Sequence, residues 1–474
     1  MRKSLHILLF HILCFSFISC QSTISESIKH FGWEKNVGAQ IFPDNDRVYF
    51  ADEYGAVGDG ETLNTSILQR LIDQCAENGG GTVELRSGTY LTGSIYLKSG
   101  VNLYLNENAI LKASEDINDY PFIVTRVEGI ELPWPSAVIN IIDQNNASVS
   151  GKGSLDGSGN AFRNYYVELR EEYRKKSLDH IIEYEIVRPK EILIQNSLNV
   201  TLKNITIINS GLTSAHILYS QFITADSLVL YDNDISSVPL SNGIIIDSST
   251  DVLVENTIVS NTINGFYLQA GRGNDGLRIN RATERVIIRN STAEDSHSLL
   301  TLGNTSGGIN DIVIYNLTGQ RTGSGIRITS DLGQGGTIEN IYIDEVVLNK
   351  VENPLVFRID TLTTVNFPEI YDTDSISPAW RTLSERVSDE KGIPDFLNIN
   401  IASVNANDAG TAIIAVGSDR KKLTDFHFTD VHITCIRPGT IKNAENWTME
   451  NFTAATSSGE KIDFENVENI SVSK

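Results

Sequence analysis

His216, Tyr267, His297 and Arg327 are among the residues of this chain that can act on a proton or hold an anion. An imidazole or a phenol can take a proton or return it. A guanidinium can grip a carboxylate through two parallel hydrogen bonds. Asn242, Asn264 and Gln269 add amides nearby in sequence. Amides bind hydroxyl groups but neither donate an acidic proton nor accept one near neutral pH. This set suits elimination beside a carboxylate. Arg stabilises the carbanion-like state, one of His or Tyr removes the proton, and the other donates to the leaving oxygen. Arg272, Arg278 and Arg281 follow as a basic cluster on a chain with 38 basic and 60 acidic residues and a net charge of -22. Such a cluster is where an anion would be tolerated, and equally what a solvated loop face looks like. The charge balance argues against a nucleic-acid binder, which tracks phosphates with excess Lys and Arg.

These residues need elements that bring them together, and the sequence supplies a repeat. Asn199-Val-Thr-Leu-Lys-Asn-Ile-Thr-Ile returns as Asp251-Val-Leu-Val-Glu-Asn-Thr-Ile, Arg285-Val-Ile-Ile-Arg-Asn-Ser-Thr and Asp311-Ile-Val-Ile-Tyr-Asn-Leu-Thr. The equivalent polar positions are Asn204, Asp226, Asn256, Asn290, Asn316 and Asp344, separated by 22 to 34 residues. Alternation at period two predicts strands with one buried face. Recurrence at this spacing predicts a solenoid, with Asn and Asp at the bends because they tolerate left-handed backbone. The expected fold is all-β: a right-handed parallel β-helix. A β-sandwich would instead show recurring Asn-Gly or Asp-Gly hairpin signals. Residues 65–78 carry a helical apolar pattern (Ile67, Leu68, Leu71, Ile72, Cys75) ending in Gly79-Gly80-Gly81, which predicts a helix capping the open end of the solenoid. Stacked coils would place His216, Asn242, Asn264, His297 and Arg327 one per turn along a groove, at about 4.8 Å spacing. Phe266 and Leu268 share one parity, so Tyr267 should face that groove.

The ends and interruptions are read separately. Residues 1–19 have a basic start and an apolar run from Leu5 to Ile18, the pattern of a secretory signal. A small residue before Cys20 resembles a bacterial lipobox, so Cys20 is expected to carry lipid and residues 20–47 to form a tether. The expectation is a cell-envelope lipoprotein, monomeric and held to a membrane only by that anchor. Residues 48–474 read as a single β-helix domain with insertions near 160–187 and 360–400. Cys14, Cys20, Cys75 and Cys435 form no CxxC pair, so neither a disulfide framework nor a metal site is expected.

Several stretches resemble one family. Asp52-Glu-Tyr-Gly-Ala-Val-Gly-Asp-Gly-Glu-Thr62, Gly79-Gly-Gly-Thr-Val83, Gly93-Ser-Ile-Tyr-Leu-Lys98, Ser150-Gly-Lys-Gly-Ser-Leu-Asp-Gly157 and Arg188-Pro-Lys-Glu-Ile-Leu193 are similar to pectin-lyase-like β-helix enzymes. The nearest resemblance is to the polygalacturonases, glycoside hydrolase family 28, over about residues 48–358. That family places three catalytic Asp in Asn-Thr-Asp-Gly-Ile-Asp and Gly-Asp-Asp. The aligned segments here are Leu240-Ser-Asn-Gly-Ile-Ile245 and Thr262-Ile-Asn-Gly265, so Asn242, Ile263 and Asn264 stand in their places. The resemblance carries His297 from Gly-His-Gly, Arg327 from Arg-Ile-Lys, and His216 from a segment ending in His beside the cleft.

The resemblance implies an acidic, uronate-containing poly- or oligosaccharide as ligand; no cofactor is expected, and no metal, because the aligned strand positions carry no carboxylate cluster for calcium. The residues that remain favour elimination by His297, Tyr267, His216 and Arg327. Asn242, Asn264, Gln269, Arg272, Arg278 and Arg281 would bind substrate. The leaving group would be the next sugar (a lyase) or water (a dehydratase). Two alternatives stay open. A hydrolase could use displaced carboxylates, with Asp232, Asp234 and Asp247 as candidates, since hydrolysis needs a carboxyl acid and a carboxylate. A β-helix that lost its acids could also be a glycan-binding lipoprotein. A lone His in such a fold is more often structural than catalytic. Trp134, Tyr165, Tyr166 and Trp380 could stack on sugars, though packing is the commoner role.

Overall fold

The computed structural model describes residues 31–43, 46–175, 186–233, 241–360 and 387–473, with Thr382 and Glu385 between the last two blocks. The leader with Cys20, the carboxylate Asp234 and the aromatic Trp380 lie outside them.

Short alternating runs form short strands, and each strand pairs in parallel with its counterpart one coil away. Thr213–Leu218, Gln221–Asp226 and Val229–Tyr231 make one coil. They pair in register with Asn242–Asp247, Thr250–Glu255 and Ile258–Ser260 of the next. Among the described residues 30 strands join this way, and a separate two-stranded antiparallel ribbon lies apart. The chain is a right-handed parallel β-helix.

The core is a set of side-chain stacks running along the axis. Ile194, Ile217, Ile246, Leu268, Leu302, Ile328 and Phe357 follow one another in register. All are essentially inaccessible. Truncating one of them, Leu268→Ala for example, costs about 2–5 kcal/mol because the neighbouring coils cannot collapse into the gap. Toward the C-terminus Phe357, Phe426, Phe428 and Trp447 fill the last coils, with the Phe426 and Trp447 rings 4.7 Å apart.

At the bends, Asn204, Asn256, Asn290 and Asn316 have φ of 58°, 53°, 51° and 55°. Their amides also link coils: Asn316 Nδ2 donates to Asn290 Oδ1 at 2.8 Å. At two of the expected bend positions the left-handed residue is the next one, Ser227 after Asp226 and Glu345 after Asp344. There the Asp side chain accepts from its neighbour, from the Ser227 hydroxyl and the Glu345 N–H, and so steadies the bend from outside it.

Helix α1, Thr65–Glu77, buries Leu68, Leu71, Ile72 and Cys75 over the first coil, as the sequence pattern predicts. Helix α2, Asn160–Lys175, occupies the first insertion. A further long strand of the solenoid begins at Asp395. Residues 31–40, expected as part of a tether, lie against the solenoid. Gln40 N donates to Asn199 Oδ1, Ala39 N to Thr224 Oγ1 and Gly38 N to the Asp251 carbonyl, while Phe31 packs on Tyr342.

The two-stranded ribbon is a hairpin of Phe122–Val127 and Ile130–Pro135. Its two-residue turn, Glu128-Gly129, has φ of 45° and 86°. Positive φ at both positions gives the turn the twist a hairpin needs.

Candidate active site

The sheet bearing the candidate residues turns three rows of side chains outward. The central row is Leu193, His216, Ile245, Tyr267, Thr301, Arg327 and Val356. A second row carries Gln195, Leu218, Asp247 and Gln269. A third brings Asn264 beside Ser298, Ser324 and Asn353. The expected single ladder therefore divides. His216, Tyr267 and Arg327 share the central row, as alternation requires once Phe266 and Leu268 point inward. Asn242 and Asn264 stand at the strand starts, linked by a 2.9 Å bond from Asn264 Nδ2 to Asn242 Oδ1. Thr301 Oγ1 donates to Asn264 Oδ1 at 2.7 Å and joins the two rows. His297 sits one residue before its strand and is exposed.

The hairpin covers part of this face, which alters the expectation for His216. His216 is only 2% exposed, and Asp247 and Arg126 are fully buried. Arg126, from the hairpin, forms an ion pair with Asp247 and donates to Ser248 Oγ at 2.8 Å. Asp247 Oδ2 also accepts from Gln269 Nε2 at 2.8 Å and lies 3.4 Å from His216 Nε2. Burial, helped by the nearby Lys190 charge, brings the His216 pKa down to about 4. Burial also pulls Lys190 down to about 7; its ammonium donates to the Arg126 carbonyl at 2.9 Å. Although burial pushes Asp247 upward, Arg126 and His216 hold its carboxyl below the usual range. His216 is thus a neutral group in a sealed polar network, without access to substrate. Gln269, expected to bind substrate, is 1% exposed and belongs to the same network.

The basic cluster fastens this roof. Arg272 N donates to the Gly129 carbonyl at 2.8 Å. Helix α3, Gly273–Ile279, follows, and Arg278 pairs with Glu131 at 2.6 Å and Asp275 at 2.7 Å. Arg281 donates to the Tyr219 carbonyl at 2.7 Å. Arg278 and Arg281, expected to bind substrate, therefore hold protein groups. Trp134 is buried in the hairpin and donates to the Arg188 carbonyl at 2.8 Å, while Tyr165 is exposed and Tyr166 buried.

Beyond the roof the face is accessible. Tyr267 is half-buried, its hydroxyl accepting from Asn304 Nδ2 at 2.9 Å. Arg327 is half-buried too, and its guanidinium has no hydrogen-bonded partner among the described residues. The displaced-carboxylate candidates lie elsewhere. Asp232 is buried against Arg163 at 2.7 Å and accepts from Ser210 N and Ser241 Oγ, the surroundings of a structural ion pair. On the coils from His216 to Asp360 the described strands of this face carry three carboxylates: Asp247, Asp331 and Asp360. Asp331 and Asp360 are register partners on adjacent coils, and both are half-buried. Burial raises the Asp331 pKa, and the Asp360 charge adds to this, against the opposing charges of Arg272 and Arg327. Asp360 is paired with Arg358 at 2.6 Å. Sequence reasoning passed over this pair, yet Arg327, Thr329 and Asp331 share strand parity, which was the available signal. Among the described residues no group of three His, Cys, Asp or Glu could hold a metal ion, and no helix is long and apolar enough to cross a membrane.

This fold, with an outward groove on one sheet, defines a class of β-helix proteins. Residues 96–365 match glycosyl hydrolases family 28, and the chain belongs to that family. It is 27% identical over 302 residues to a probable polygalacturonase of Vitis vinifera, a match covering 61% of this chain and 58% of the relative's length. It is 22% identical to an exo-poly-alpha-D-galacturonosidase of Dickeya chrysanthemi, over 85% of this chain and 70% of that one. The exopolygalacturonase of Thermotoga maritima shares the fold with a TM-score of 0.68 at 22% identity, covering 91% of this chain and 94% of its own. The polygalacturonase of Erwinia carotovora does so with a TM-score of 0.65 at 19% identity, covering 92% and 99%.

Proposed function

We propose that the protein hydrolyses glycosidic bonds in a galacturonan-type, uronate-bearing polysaccharide. Family membership and the names of its relatives support the substrate class and the hydrolytic reaction. The observation that carries the reading is the unpartnered Arg327 guanidinium on the same face as the Asp331–Asp360 pair, in a chain of net charge -22. Arg327 receives a uronate carboxylate, with Arg272 nearby. Asp331, whose pKa is raised, is the proton donor to the leaving oxygen. Asp360, ion-paired with Arg358, takes a proton from the attacking water. One water is added per bond broken: its hydroxyl goes to the anomeric carbon, and the leaving oxygen keeps the proton from Asp331.

The test is mass spectrometry of the products from polygalacturonate. Saturated products, each cleavage adding one water, are expected. Asp331→Asn should lower kcat about 100-fold or more, in the range of a lost general acid. Products with an unsaturated end would overturn hydrolysis in favour of a second reading, elimination at Tyr267 and Arg327. That reading is favoured by one observation: the central row around Tyr267, Thr301 and Arg327 carries no carboxylate.

A further inference from the structure

We infer that the hairpin Phe122–Pro135 and helix α3 close one end of the groove, so that the protein engages its polysaccharide at a chain terminus. This inference rests on the substrate class proposed above, and its ground is the geometry of the roof.

A polymer lying in the groove of a β-helix runs across the coils, so each coil offers one step of about 4.8 Å along the chain. The roof removes successive steps. Leu193 and Leu218 pack with Tyr219 and Ala137 in a small cluster that Ile123 of the hairpin adjoins. His216 and Asp247 lie beneath Arg126, whose guanidinium also stacks over the Tyr219 ring at 4.8 Å. At the coil of Tyr267 the hairpin reaches its tip. There the Gly129 carbonyl accepts from Arg272 N, and a Cβ added at Gly129 would lie 2.6 Å from Arg272 Cβ and 3.3 Å from Asn304 Nδ2. The seam between hairpin and wall leaves no width for a sugar chain.

The roof is fixed on every side. Glu131 accepts from Tyr219 Oη and Arg278, its backbone N–H donates to Asp275, and Gln195 donates to the Val124 carbonyl. Arg126 of the hairpin and Lys190 below it are buried, and lifting the hairpin would break the Lys190 bond to the Arg126 carbonyl and the Arg126–Asp247 pair together. A groove closed in this way behaves as a wall, not as a lid. A chain approaching from the Arg327 side must stop beside Tyr267 and Asn304.

The experiment counts protein molecules bound per polysaccharide chain, by titration calorimetry with size-fractionated oligo- and polygalacturonates and the Asp331→Asn variant. A wall predicts one protein per chain whatever its length, with affinity level once the short accessible stretch is filled. A parallel assay of the wild type compares reducing-end release with viscosity. Release of one short product with little early fall in viscosity is expected. Stoichiometry that grows in proportion to chain length, or a random product ladder, overturns the inference while leaving the substrate class standing. No binding to any uronate polymer, by the variant or the wild type, overturns the substrate class and the inference with it.

Discussion

One sheet face of this protein behaves as two different materials. Under the hairpin, Arg126, Lys190, His216, Asp247 and Gln269 are sealed from water and bonded to one another. At the edge of the hairpin Tyr267, on the same strand as Gln269, and on later coils Arg327, Asp331 and Asp360 carry similar chemical groups, yet are only half-buried. The side chains alone do not decide which is which; the cover does. In the sealed half, desolvation makes charges expensive, so each must be paired and fixes structure. In the open half a guanidinium can remain without a protein partner and be available to an anion.

This contrast can be tested by breaking each half in turn. The largest effect should come from the sealed half. Arg126→Ala leaves the Asp247 charge buried without its main partner and should destabilise the fold by about 3–5 kcal/mol in denaturant titration. Asp247→Ala should do the same. In the open half, Arg327→Ala should lower kcat/KM on polygalacturonate about 100-fold, with a melting temperature close to the wild type's. Equal loss of stability in both variants would erase the distinction.

Acid sharpens it further. The unfolded chain protonates His216 near its ordinary value of about 6.5, while the folded chain resists protonation until about 4. Below pH 6.5 the unfolded state therefore binds more protons, and stability falls as pH drops toward 4. Glu191, which burial pushes up to about 8, acts in the opposite sense: it favours the fold at low pH and loses that contribution as pH rises from about 4.5 to 8. The comparison that isolates His216 is wild type against His216→Gln, whose stability curves should converge or cross on acidification. The smallest effect is at the edge of the roof. Arg278 is 61% exposed, so Arg278→Ala should cost at most about 1 kcal/mol despite its two ion pairs.

The repeat made the solenoid legible, because period-two alternation and bend residues are local signals. The parity argument placed Tyr267 on the open face for the same reason. The hairpin was not legible as a roof. Its turn, Glu128-Gly129, is a weaker hairpin signal than Asn-Gly, and nothing local says that Arg126 reaches residue 247, more than a hundred positions away. Without that contact His216 looks like any groove histidine. The Asp331–Asp360 pairing was hidden differently. Parity put Asp331 on the face, but the register between its coil and the next depends on the length of the turn between them, and sequence alone leaves that length open.

The segment along the flank has a consequence for how the molecule unfolds. In a solenoid each coil contacts only its neighbours, so stability resembles a one-dimensional chain of nearest-neighbour couplings that can fray coil by coil from either end. Residues 31–40 cross that logic. Their contacts reach Asn199, Thr224 and Asp251 on three successive coils and Tyr342 three coils further on, so the first and last coils they join do not touch directly. Such a strap introduces long-range coupling into a short-range system, so the middle coils open as one cooperative block while fraying is confined to the turns outside its reach.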